Sequence, residues 1–198
     1  MKYLIVNAFP RSGSVFFASA LNMAGIQEDV MMASLHLPHI IDNDRLMSAV
    51  VFRNPYDALA SHTYMRFKQH NPSFGDLDTE PNKDVIKFYL EDYMTYVNYA
   101  LENKGKGFLH IVDFEKMTTD TVGEINSLCE KFNLTYRNKI SNEQIFSDIK
   151  NNFTRGNLMD DAQGHMPREK DSDRLKVEEF INKLSFIEEA YLEYKKLF

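Results

Sequence analysis

The sequence predicts an α/β protein, a three-layer α/β/α arrangement around a central parallel sheet. Three observations carry this expectation. Apolar runs of strand length at 3–8, 46–52 and 108–112, with a weaker one at 30–35, alternate with helical patterns. Those patterns cover 14–24, 55–67, 84–103, 119–132, 142–151 and 173–197. Two of the strand-to-helix junctions carry an arginine just past the strand, where parallel sheets gather their ligands. The 198 residues suit a single domain spanning 1–198, with no repeat or low-complexity tract.

The first run, Tyr3-Leu4-Ile5-Val6, leads into Phe9-Pro10-Arg11-Ser12-Gly13-Ser14 and then a helix. A tight loop before a helix start presents free backbone N–H groups, and the helix dipole favours negative charge there. Arg11 adds a cation with bidentate geometry. The loop is thus expected to hold a phosphate or sulfate group.

The second junction is Val50-Val51-Phe52-Arg53-Asn54-Pro55-Tyr56-Asp57, with Ser61 two turns on. Asn54, Pro55 and Asp57 read as helix-start residues: a cap, a first-turn proline and an acid near the free N–H groups. Arg53 follows an apolar strand and needs an anionic partner, either a ligand or a nearby carboxylate. Ser61 falls on the face of Asp57 and is placed to share a ligand with Arg53.

Charge and composition limit the function. With a net charge of −6, the chain lacks the basic face that broad nucleic-acid binding requires. No run approaches the roughly 18 apolar residues of a membrane span, and no signal peptide is evident. The single cysteine, Cys129, permits no internal disulfide and no cysteine metal site, and it falls on an apolar helical stripe with Val122, Ile125, Leu128 and Phe132. A reducing cytoplasm is the expected compartment. The aromatics Phe88, Tyr89, Tyr93, Tyr96 and Tyr99 read as core packing, with an interface or acceptor wall as the alternative. Mobile segments are expected at 70–83 and 154–173. Nothing in the sequence signals an oligomeric state.

Together the two junctions resemble the sulfotransferase family that uses 3′-phosphoadenosine 5′-phosphosulfate (PAPS). Pro10-Arg11-Ser12-Gly13-Ser14 is similar to its 5′-phosphosulfate loop, and Arg53-Asn54-Pro55-Tyr56-Asp57 with Ser61 is similar to its 3′-phosphate motif. Leu35-His36-Leu37-Pro38 resembles the family's Thr-His-Leu-Pro, Ile145–Asn152 its adenine segment, and Thr154-Arg155-Gly156 its late Arg-Lys-Gly. The resemblance implies a P-loop-like sulfotransferase fold and in-line sulfuryl transfer from PAPS to a hydroxyl or amine. The acceptor would be a small molecule or glycan, 3′-phosphoadenosine 5′-phosphate (PAP) would be the product, and no metal would be needed.

Under that resemblance Arg11 and His36 are the catalytic residues. Arg11 stabilises the leaving phosphate, and His36 takes the acceptor's proton. A hydrogen-bonded structural histidine is the alternative for His36, and His39 lies three residues on. The nucleotide would be held by Arg11, Ser12, Gly13, Ser14, Arg53, Ser61, Phe146, Arg155 and Gly156. His62, His70, His110 and His165 are read as structural or solvent-facing, with a closing loop as a further option for His165. The chain departs from the family pattern at Val15, Gln144 and Phe114, each of which replaces a hydroxyl residue, and it has no Trp. Two other readings stay open: a catalytically degenerate nucleotide-binding or interaction module, and a P-loop kinase. The kinase reading lacks the Walker lysine and the first Walker glycine.

Overall fold

Strand β3 (Leu46–Phe52) shows how the layers arise. Met47, Ala49 and Val51 join one apolar core, while Val50 and Phe52 join the other, as the two-residue strand period requires. A strand buried on both faces needs helices on both sides, and this chain supplies them. The computed structural model describes residues 2–26, 30–36, 46–68, 81–155 and 172–198.

Four strands, β1 (Lys2–Ala8), β2 (Val30–Leu35), β3 and β4 (Leu109–Asp113), form one sheet in the order β2-β1-β3-β4. Every pairing is parallel, and the register aligns Ala8 with Val51, Asn7 with Leu35 and Phe52 with Asp113. The carboxyl ends of all four strands therefore share one edge.

Helix α1 (Ser14–Ala24), the short α4 (Phe114–Thr119), α5 (Thr121–Phe132) and α6 (Asn142–Arg155) close one core around Phe16, Phe17, Leu21, Ile125 and Ile149. Helices α2 (Pro55–Lys68), α3 (Lys83–Asn103), α7 (Ser172–Asn182) and α8 (Ile187–Lys195) close the other around Phe9, Leu59, Ile86, Tyr93 and Ile187. Phe17 is fully buried, so its truncation to Ala would cost about 3–5 kcal/mol.

One expected helix is preceded by a short extra one, and another is divided. The 119–132 pattern is preceded by the separate α4, which Asp113 starts by accepting hydrogen bonds from the N–H groups of Glu115 and Lys116. Asp120 then caps α5 by accepting from Gly123 N–H at 3.0 Å. The 173–197 pattern breaks between α7 and α8, where tight-turn bonds run from Leu184 N to Ile181 O and from Ile187 N to Leu184 O. Of the expected mobile segments, 70–80 and 156–171 lie outside the described residues. Among the described residues, no helix is long and apolar enough to cross a membrane.

Candidate functional site

The loop between β1 and α1 holds two left-handed residues, Arg11 at φ 70° and Gly13 at φ 93°. Glycine adopts that region without strain, whereas for an arginine it costs roughly 1–2 kcal/mol. Backbone strain of this kind concentrates at ligand sites. Gly13 is the N-cap of α1, with no side-chain cap and no acidic residue in the first turn. The first helical hydrogen bond runs from Phe17 N to Gly13 O at 3.0 Å, so the N–H groups of Gly13, Ser14, Val15 and Phe16 precede the ladder. Ser12 N–H is committed elsewhere, donating to Phe9 O at 3.2 Å. What Ser12 offers is its hydroxyl, which is buried and has no hydrogen-bond partner among the described residues.

Arg53 leaves the end of β3 and reaches this loop. Its Nη1 donates to the Arg11 carbonyl at 3.5 Å, and its guanidinium lies over the Phe114 ring, 4.7 Å from the centroid. The same ring closes on Gly13, where an added Cβ would sit 2.8 Å from Phe114 Cδ2. The turn itself is fixed twice. Asn54 Oδ1 accepts from Tyr56 N–H at 3.0 Å, and Tyr93 O–H donates to the Arg53 carbonyl at 2.9 Å. Burial holds the Arg53 pKa below its ordinary value, opposed by Asp57, Glu115 and Glu178 and assisted by Arg174. Arg53 makes no ion pair among the described residues, and its Nε is buried without a partner there. Of the two partners the sequence left open for Arg53, a close carboxylate is not found among the described residues.

His36 sits at the neighbouring strand end. Its Nδ1 is 2.8 Å from the Ala8 carbonyl, which can only accept, so Nδ1 carries the proton. In the neutral ring this leaves Nε2 as a free base on an exposed side chain. His62 was read from sequence as structural or solvent-facing. It is buried on α2, tilted against Phe9 at 5.6 Å and Tyr89 at 4.3 Å. Burial, followed by the positive charges of Arg66 and Arg11, pushes its pKa down to about 4. It is thus a neutral imidazole beside both expected catalytic residues. No local pattern signals this, because its partner Phe9 is 53 positions away in the chain.

The remaining expected residues are distributed as follows. Ser14 and Ser61 are buried at the starts of α1 and the second turn of α2. Phe146 packs on Phe16 of α1 at 5.2 Å between ring centroids. Gln144 closes a reciprocal cap: its Oε1 accepts from Ser141 N–H at 3.0 Å, and Ser141 Oγ accepts from Gln144 N–H at 3.3 Å. Arg155 ends α6, and nothing further is described of its side chain; Gly156, His39, His70 and His165 lie outside the described residues. His110 is a structural partner of Glu124 at 2.9 Å, and Cys129 is buried with its thiol pKa pushed up by burial. Tyr93 and Tyr96 belong to the core, but Phe88 is 65% exposed.

The adjacent strand ends of the parallel sheet thus bring two arginine-bearing turns, a helix start and buried hydroxyls to the edge where parallel sheets gather their ligands. The family model described as the sulfotransferase domain matches residues 36–194, and the chain belongs to that family. Mouse sulfotransferase SULT7A1, solved in complex with PAP, has a similar structure: TM-score 0.61 at 13% identity, over 98% of this chain and 88% of that one. The sulfotransferase domain of the Synechococcus PCC 7002 olefin synthase is also similar, with TM-score 0.52 at 11% identity over 93% and 95% of the two chains. At such identities the likeness is one of fold, and the fold is that of the sulfotransferases. No curated protein matches the sequence.

Proposed function

We propose that this sulfotransferase moves a sulfuryl group from PAPS to a hydroxyl or amine of a small-molecule or glycan acceptor. One observation carries the reading. Two arginines from adjacent strand ends meet, with Arg53 Nη1 on the Arg11 carbonyl, and beside them the Ser12 hydroxyl and Arg53 Nε are buried polar atoms without partners among the described residues. Buried polar atoms are costly unless satisfied, so this pattern fits an anionic ligand with two phosphate ends.

PAPS supplies the sulfuryl group and the bisphosphate that leaves as PAP. Arg11, the Gly13 and Ser14 N–H groups and the Ser12 and Ser14 hydroxyls bind the 5′ side. There Arg11 offsets charge that develops on the leaving oxygen. Arg53, Ser61, Arg155 and Gly156 serve the 3′-phosphate, and Phe146, already against Phe16, serves the adenine. His36 Nε2 takes the acceptor's proton, with Nδ1–H held on Ala8 O. The positive charge comes from arginine, and no step in this reading calls for a metal. The lone buried Cys129 suits a reducing cytoplasm.

Replacing Arg11 by Ala tests this. Transfer should fall by about 10²–10³-fold, the usual loss for one preorganised donor to a developing anion, while PAP affinity falls far less. Normal turnover in the variant would overturn the assignment. Thermal stabilisation by ATP with Mg²⁺ but not by PAP would favour the kinase reading instead.

A further inference from the structure

Strand β1 lies between β2 and β3, and from Leu4 to Ala8 its one polar residue is Asn7. Asn7 is buried and aligned in register with Val50, so it stands on the sheet face that α2 and α3 cover. Asparagine is disfavoured in strands, and burying its carboxamide is costly unless it is hydrogen-bonded. Its Oδ1 accepts from the N–H of Ala8 at 3.0 Å. A residue that breaks the pattern of an otherwise consistent strand is where function is expected.

Ala8 is also the residue that holds the candidate base. The register between β1 and β2 ends at Asn7 and Leu35, and His36 comes next in the chain. Beyond that pair a side chain makes the crossing bond, from His36 Nδ1–H to Ala8 O at 2.8 Å. The polar groups of Ala8 thus meet two side chains, Asn7 at the N–H and His36 at the carbonyl. The chain after Ala8 is fixed by Phe9, which is buried edge-on to Tyr93 and Tyr96 at 5.5 and 6.3 Å. The His36 side chain is exposed, so its ring is aimed by the bond to Ala8 rather than by packing. The partner of one ring nitrogen sets the tautomer and direction of the other.

We propose that Asn7 is a positioning residue for sulfuryl transfer. By fixing Ala8 it keeps the His36 ring in the Nδ1–H form, with Nε2 turned to the acceptor. This rests on the reading of His36 as the base.

Asn7→Leu removes the accepting oxygen at similar volume, and Asn7→Ala removes it without added bulk should the leucine variant not fold. Either variant should lower kcat by about 10–100-fold, the usual loss for a displaced functional group, with PAP affinity and the KM for PAPS within about twofold. In a His36→Ala background the same change should cost no further rate, because the ring it positions is gone. Nitrogen NMR of the imidazole in nucleotide-free protein should show one neutral form, Nδ1–H, in the wild type and a mixture of both neutral forms in the variant. Unchanged kcat, a loss of PAP affinity as large as the loss of rate, or a further fall in the His36→Ala background overturns the proposal. So does a ring that stays in the Nδ1–H form without Asn7. Full turnover in His36→Ala would count against His36 as the base alone, and the ring spectra would still decide whether Asn7 sets the imidazole.

Discussion

The hydroxyl of Tyr93, at the centre of α3, donates to the backbone carbonyl of Arg53 at 2.9 Å. Tyr93 is fully buried, so the turn that aims Arg53 is anchored from inside the second core rather than by its own flanking residues alone. Replacing Tyr93 by Phe leaves a carbonyl unsatisfied, at a cost of about 1–3 kcal/mol. Urea unfolding should show that loss, and calorimetry should show weaker PAP binding than the stability change alone produces.

Arg53 itself is expected to carry a large share of nucleotide affinity. A charged hydrogen bond contributes about 1.5–3 kcal/mol, so Arg53→Ala should weaken PAP binding by roughly 10–100-fold. Lysine should not restore it, because the planar fork and the stacking over Phe114 are both lost. Full affinity in Arg53→Lys would show that a point charge suffices there.

For His36 the expected signature is a split between steps. His36→Ala should lower kcat by about 10²–10⁴-fold, the range for a general base, with PAP affinity intact. The bond from Nδ1 to Ala8 O fixes which nitrogen is basic, and asparagine, which can keep that bond, should be as slow as alanine. Rescue by asparagine would make the hydrogen bond, not the base, the function of this residue.

His62 leads to a stability prediction with a definite sign. Its pKa is about 4 in the folded chain, against about 6.5 when unfolded. Between those values the unfolded chain binds a proton that the folded chain refuses, so stability rises with pH across that window. The contribution is complete above about pH 6.5 and is lost as pH falls, reaching about 3 kcal/mol by pH 4. Denaturant titrations at pH 7 and pH 4 should differ less for His62→Gln than for the wild type, by about that amount. An unchanged difference would mean that other groups drive the acid loss.

Gly13 is constrained by both its backbone and its neighbour. Alanine there must adopt φ 93° and push a Cβ to 2.8 Å from Phe114 Cδ2. Gly13→Ala should lose about 1–2 kcal/mol from the backbone alone and most PAP affinity besides. Melting temperature and calorimetry measure the two effects separately.

Much of this was legible in the sequence because it is local. A strand followed by a small-residue loop or by Asn-Pro spells its own junction, and β3 and α1 fall where the pattern puts them. The division of α7 from α8 was hidden, because Val177, Ile181, Leu184, Ile187 and Tyr194 keep one helical phase across the break and all join one core. The start of α4 carries a signal, Asp113 after an apolar strand, but the apolar spacing that follows marks α5 alone. What periodicity cannot encode is the meeting of distant side chains: His62 against Phe9 and Arg53 over Phe114.

The Phe114 ring has one consequence for how such proteins change over time. One face of its environment is Gly13 and the other is the Arg53 guanidinium, so three positions spread over a hundred residues share a single fit. A larger residue at 13 demands a smaller one at 114, and a smaller one at 114 uncovers the cation at 53. Viable descendants should vary these positions together or not at all. Two arginine-bearing turns that look independent in the chain would then be inherited as one.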